Sequence, residues 1–158
     1  MLKGKKKMSI NTIWNSVKKL YPEYLIFVKI GKFYTVYNQD AYIISYELGY
    51  RLKEEKGKDL RYSCGFPDVA INKVKAKVEE LKINYMILDR RNNYEEDEKF
   101  NNKNLNNYNN VLKKARIYAN NKIRLDKIMQ FFLDNIDTEY TRKTLIKLEQ
   151  EVDERREI

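Results

Sequence analysis

The chain contains no histidine and a single cysteine, Cys64. The usual zinc ligand sets are thereby excluded, as is any Ser/His/Asp or Cys/His pair. One cysteine cannot close an internal disulfide, so a reducing, cytoplasmic setting is expected. No stretch approaches the roughly 18 apolar residues that a membrane span needs. The lysine-rich start is not followed by the apolar segment of a secretion signal, and no membrane contact is expected. The phosphate-binding pattern Gly-x-x-x-x-Gly-Lys-Ser/Thr is missing from these 158 residues, and with it any ATPase built on that loop. Paired acids at Glu54-Glu55, Glu79-Glu80 and Glu95 to Glu98 fall in polar stretches and read as solubility features. The expectation is a non-enzyme with no catalytic residue, no cofactor and no metal site.

What the chain does have is charge and tyrosine: 35% of residues are charged, 13 are tyrosine, and the net charge is +9. The basic excess sits at the front. Residues 1–20 carry six lysines and no acid, residues 21–91 carry thirteen bases against ten acids, and residues 92–158 carry thirteen of each. A contact that releases counterions from phosphates would therefore be made by the first half of the chain. With 42% apolar residues, the length suffices for one packed domain and an appendage.

The organising stretch is YPEYLIFVKIGKFYTVY, Tyr21 to Tyr37. Leu25-Ile-Phe-Val28 is a continuous apolar run, as in a strand buried on both faces. Phe33 to Tyr37 is all aromatic or β-branched and suits a second strand. Between them Lys29, Ile30, Gly31 and Lys32 make a basic turn with Phe33 at its exit. Before this pair, Ser9 caps a helix over Ile10 to Leu20, with Ile13, Trp14, Val17 and Leu20 inward. Pro22 closes it. After the pair, Asn38-Gln39-Asp40 opens a helix reaching about Leu52. A charged loop over Glu54 to Arg61, a short strand at Tyr62 to Gly65, a helix from Asp68 to Leu81 with Val69, Val74, Val78 and Leu81 inward, and a buried strand at Tyr85 to Leu88 follow. The pattern is α/β, a mixed sheet of about four strands packed with helices. Its boundaries are a basic arm at 1–8, a domain at 9–91, an asparagine-rich linker at 92–110 and a helical hairpin at 111–158. That hairpin either packs on the domain or serves self-association or a protein partner.

Three segments together carry a resemblance. Pro22-Glu23 before an apolar strand, then Gly31-Lys32-Phe33-Tyr34, then Gly65-Phe66-Pro67 opening a helix, closed by the strand YMILDR, resemble the N-terminal mismatch-recognition domain of the MutS family. The resemblance covers Ile13 to Arg91. It implies a domain that inserts a phenylalanine beside a mispaired base from the minor groove of a kinked duplex, and Phe33 matches that residue. The family's glutamate two residues later is Thr35 here, which can donate or accept one hydrogen bond but carries no charge. The family's aspartate before the phenylalanine is Lys32, which attracts phosphate instead of repelling it. The histidine that follows Gly-x-Pro in the family is also absent, Asp68 and Val69 standing in that region. The expected nucleic-acid contacts are Phe33, Lys32, Lys29 and Thr35, with Lys56, Lys58 and Arg61 of the charged loop and Lys5, Lys6 and Lys7 of the arm. DNA is favoured over RNA, through an ATP-independent accessory role. The competing expectation is a protein–protein adaptor that has kept the fold and lost the DNA role.

Overall fold

The computed structural model describes residues 8–57, 59–102 and 106–157. The chain divides into two compact units, Met1–Ala119 and Asn120–Ile158.

The first unit opens with helix α1 (Ile10–Leu20), where the Ser9 hydroxyl accepts a hydrogen bond from the Thr12 N–H. Strands β1 (Tyr24–Ile30) and β2 (Phe33–Tyr37) pair antiparallel across the two-residue turn Gly31-Lys32. Gly31 has φ +62°, a left-handed value at the first central position of the turn, where tight hairpins call for glycine. Helix α2 (Asn38–Leu48) follows at once and stops at Gly49 in the left-handed conformation, short of the Leu52 that periodicity alone suggests. Strands β3 (Lys53–Glu54) and β4 (Tyr62–Pro67) form a second hairpin. A 3₁₀ turn (Asp68–Ala70) then leads into α3 (Ile71–Glu80), followed by β5 (Asn84–Asp89), β6 (Glu95–Phe100) and the start of α4 (Tyr108–Asp134).

The sheet therefore has six strands in the order β3-β4-β2-β1-β5-β6, and only the β1–β5 pair is parallel. The two strands beyond those expected are the edges. One is two residues long; the other is Glu95–Phe100, in the stretch read from composition as a linker. Glu95, Glu96, Asp97 and Glu98 make that edge strongly anionic, a common way of discouraging further strand pairing. Linker composition and edge-strand composition look alike in sequence, because both are polar and charged. The linker boundary at 110 moves as well. Helix α4 begins at Tyr108, and its first turns place Tyr108, Val111, Leu112, Ala115 and Ala119 in buried positions of the first unit.

Both sheet faces are covered. Ile26, Val28, Met86 and Leu88 pack with Ile13 and Trp14 of α1 on one side. Leu25, Phe27, Tyr85 and Ile87 pack with residues of α2, α3 and α4 on the other. This explains the unbroken apolar runs of β1 and β5, since alternation is lost when neither face meets water. Two expected core residues lie outside. Val69 is 87% exposed because the 3₁₀ turn puts it off the α3 stripe, and Leu20 is 76% exposed at the end of α1.

In place of Leu20, Lys18 is buried. Its ammonium donates to Asp40 Oδ1 (2.7 Å), to the Tyr24 carbonyl (2.6 Å) and to Tyr108 Oη (3.1 Å). Asp40 also accepts from Tyr108 Oη at 2.5 Å and from the Ile26 N–H at 3.1 Å. One carboxylate thus joins α1, β1, α2 and α4, and each charge has a partner, the condition under which burial of ions is tolerated.

Cys64 lies on β4 with no exposed surface, and burial pushes its thiol up to about 12, with Lys53 pulling the other way. The native thiol is expected to resist a maleimide at neutral pH and to label at the rate of unfolding. Because the folded pKa exceeds the ordinary value of 9.0, this stabilisation is complete below about pH 9 and disappears as pH climbs toward 12. Tyr37, raised by burial from 10.0 to about 12, acts in the same direction. Urea midpoints measured from pH 8 to 11 should fall, and a Cys64→Ser variant should lose part of that slope.

The second unit is a helical hairpin, the remainder of α4 and α5 (Glu139–Arg156). Thr138 caps α5, its hydroxyl accepting from the Thr141 N–H, while both threonine hydroxyls donate to the Asn135 carbonyl. The chain turns between the two helices over residues 135–138.

Candidate nucleic-acid interface

Antiparallel pairing fixes which way each residue of the organising hairpin points. Ile30 pairs with Phe33, Lys29 with Tyr34 and Val28 with Thr35. Tyr34 and Val36 belong to the α2–α3 side of the core, so Phe33 and Thr35 face the α1 side. Tyr34 is 6% exposed and stacks on Phe66 with ring centroids 5.6 Å apart. Phe33, one residue earlier, is 58% exposed. It sits at the very end of the sheet, opposite Pro67, and the backbone around it is pinned by the Asp68 N–H donating to the Lys32 carbonyl at 2.8 Å. The result is an apolar ring held open to solvent on a hydrogen-bonded turn.

Thr35 is half-buried on the same face, two positions along. Its cross-strand partner is Gly65, which has no side chain to cover the hydroxyl. Thr35 and Gly65 line a small cavity of about 240 Å³ with Tyr37 and Ser63. Lys32 is exposed in the turn beside Phe33. Lys29 lies on the opposite face, its ammonium 5.7 Å from the centre of the Tyr34 ring. The two lysines that look equivalent in sequence thus serve different sides of the sheet.

The charged loop is not near the turn. Tyr37 pairs with Ser63, and Tyr62 with Glu54, so the segment between β3 and β4 lies at the end of β2 remote from Phe33. Five strand residues separate them by about 16 Å. Lys56 is exposed there, and Arg61 is engaged by Glu54 at 3.5 Å and by the Tyr62 ring. Lys5, Lys6, Lys7 and Lys58 lie outside the described residues.

Two cations that sequence reading passed over stand at the Phe33 end instead. Lys29 of β1 pairs with Asp89 of β5, so Arg90 and Arg91 follow directly at that end of the sheet. They line a groove of about 670 Å³ on the α1 side, together with Ser9, Ile13, Gly31 and Tyr94. Arg91 is held by Asp89 through its Nε and Nη2, which keeps the Asp89 carboxyl below the usual range despite its burial. Arg90 is exposed and has no such carboxylate among the described residues. Asn93 and Tyr94, at the groove mouth, have φ of +58° and +60°, two consecutive non-glycine residues in the left-handed region. In sequence, Arg90-Arg91 looks like a strand terminator. Only the parallel β1–β5 register reveals that it shares an end with Gly31.

The protein-family model of MutS domain I matches residues 9–109. The chain belongs to the MutS domain I family. That match spans the whole six-stranded sheet and the first residues of α4, beyond the Arg91 limit suggested by the motifs. No curated protein matches the chain. Membership implies a DNA-binding module of the mismatch-recognition kind. Within the matched range Lys32 is exposed and Thr35 half-buried.

Proposed function

We propose that this MutS domain I protein binds DNA without catalysis, setting the Phe33–Thr35 face of its sheet against a mispaired or otherwise distorted duplex. The observation that supports this most is the contrast between neighbours: Tyr34 is buried in the core while Phe33 stands 58% exposed beside the Gly31-Lys32 turn. An aromatic wedge costs a few kcal/mol of unstacking, least where pairing is already weak, and so favours damaged or mismatched steps. Lys32 and Arg90 would meet phosphates on either side of the inserted ring, with Arg91 presented by Asp89 and the arm lysines Lys5, Lys6 and Lys7 adding sequence-independent attraction. Lys29, Lys56, Lys58 and Arg61 play at most a peripheral part, because the described ones lie on the other face or at the far end of the sheet. Thr35 offers one uncharged hydrogen bond to a base, so discrimination among mismatches is weaker than a carboxylate would give. The protein would act in the cytoplasm as an ATP-independent accessory that marks a distorted site.

Fluorescence anisotropy on a labelled duplex tests this reading. Arg90→Ala should weaken binding and lower the slope of log K against log salt by about one. Deleting residues 1–8 should lower the slope further and leave binding measurable. Loss of all affinity with the arm would mean that the sheet face takes no part. The second reading, a protein–protein adaptor, is favoured by a different feature, the apolar surface of the hairpin. It predicts no duplex affinity beyond the arm's.

A further inference from the structure

Among the described residues, eleven large apolar side chains between Leu125 and Val152 are 40 to 64% exposed. They are not scattered. Leu125 and Ile128 share one side of α4, Ile136 follows in the turn between the helices, and Leu145, Leu148 and Val152 share one side of α5, at spacings of three and four. Thr141 on the α5 stripe is buried, and Phe131 meets Tyr140 edge to face at 6.3 Å, so the two helices touch near their connecting turn. Each nevertheless leaves about half its surface open. With roughly 100 Å² open per large side chain, the hairpin displays on the order of 1,000 Å² of apolar surface. The largest patch on a typical monomer is about 300–600 Å², whereas each partner in a stable complex contributes about 800 Å².

Charge narrows the choice of occupant. Residues 120–158 hold eight bases and nine acids, so this unit has no attraction for nucleic acid or an anionic lipid surface and little repulsion for its own kind. Arg142 and Lys143 both engage Glu139, on the side of α5 away from Leu145 and Leu148. A surface that is apolar, near-neutral and of dimer size fits a copy of itself. We infer that the α4–α5 hairpin is an interface for a second copy of this chain, two hairpins closing into a four-helix bundle whose core is the two apolar stripes. The assembly carries two Phe33 turns. Two linked readers on one DNA gain affinity by effective concentration without any new contact.

Light scattering on the full chain in the absence of nucleic acid is the test. The expected mass is twice 19.1 kDa at micromolar concentration. Ile128→Asp with Leu148→Asp should return it to 19.1 kDa, whereas Arg142→Glu on the outer side should leave the dimer in place. Should the double variant lose helicity, the milder Leu148→Ala is expected to raise the dimer dissociation constant at least tenfold with the circular dichroism unchanged. A wild-type monomer, a higher oligomer, a dimer that survives the aspartates with its helices intact, or a dissociation constant indifferent to Leu148→Ala would each overturn the inference. So would a wild-type monomer whose hairpin captures a different macromolecule. None of these outcomes depends on DNA, so the interface and the Phe33 reading stand or fall separately.

Discussion

Phe33→Ala is expected to weaken binding to a mispaired duplex by about 5- to 150-fold, the range given by roughly 1–3 kcal/mol of base–aromatic stacking. The same change should leave the urea midpoint nearly untouched. Phe33 is 58% exposed and ends its strand, so truncating it removes little packing, and surface substitutions of that kind stay within about 0.5 kcal/mol. This separation gives the experiment its force. A variant that loses affinity and stability together would have lost a structural ring. A variant that keeps the affinity of the parent would show that the duplex, if bound at all, is held by cations alone. The loss should also be smaller on a perfectly paired duplex, where inserting the ring costs more unstacking in the parent. Phe33→Leu, which keeps an apolar wedge, should fall between the two.

The largest effect on stability is expected at Asp40. Its carboxylate has no exposed surface and satisfies Lys18, Tyr108 and the Ile26 N–H together. Asp40→Ala leaves the Lys18 ammonium buried beside Tyr108 with only the Tyr24 carbonyl as a second acceptor. Breaking a buried pair in this way costs about 3–5 kcal/mol, a large share of a domain's stability. Replacing both charges, Lys18→Met with Asp40→Leu, should recover much of that loss, because an apolar pair carries no stranded ion. Denaturant unfolding of the two variants decides the matter. If Asp40→Ala costs under about 1 kcal/mol, the network is not closed as described. The double variant is the informative one for fold specificity, since Tyr108 brings α4 to the same carboxylate.

Much of this fold is legible in the sequence, and the parts that are not have definite causes. Helix α1 appears at its observed limits because Ser9 and Pro22 are local signals acting on local backbone. The β1–β2 hairpin and its turn are likewise set by a glycine at a position requiring positive φ. By contrast, Lys18 and Asp40 are 22 residues apart and look like ordinary surface charges, and nothing local announces their pairing. The acidic stretch from Glu95 becomes an edge strand because β5 offers it a partner, which is a tertiary fact. At the candidate interface, period-two alternation is enough to separate Phe33 and Thr35 from Tyr34. The placing of Arg90 beside Gly31, and of the Lys56–Arg61 loop at the opposite end, depends on strand order. Charge in a sequence says that cations exist, and register says which of them share a surface.

The central claim is that an exposed ring and its flanking cations make this sheet face a reader of DNA. Titrating the full protein onto a mispaired and a perfectly paired duplex of the same length, across a range of salt, tests it most directly. The expected result is that log K falls linearly with log salt for both and that the mispaired duplex binds more tightly at every salt concentration. Equal affinity for the two duplexes, or no affinity for either at low salt, would contradict it.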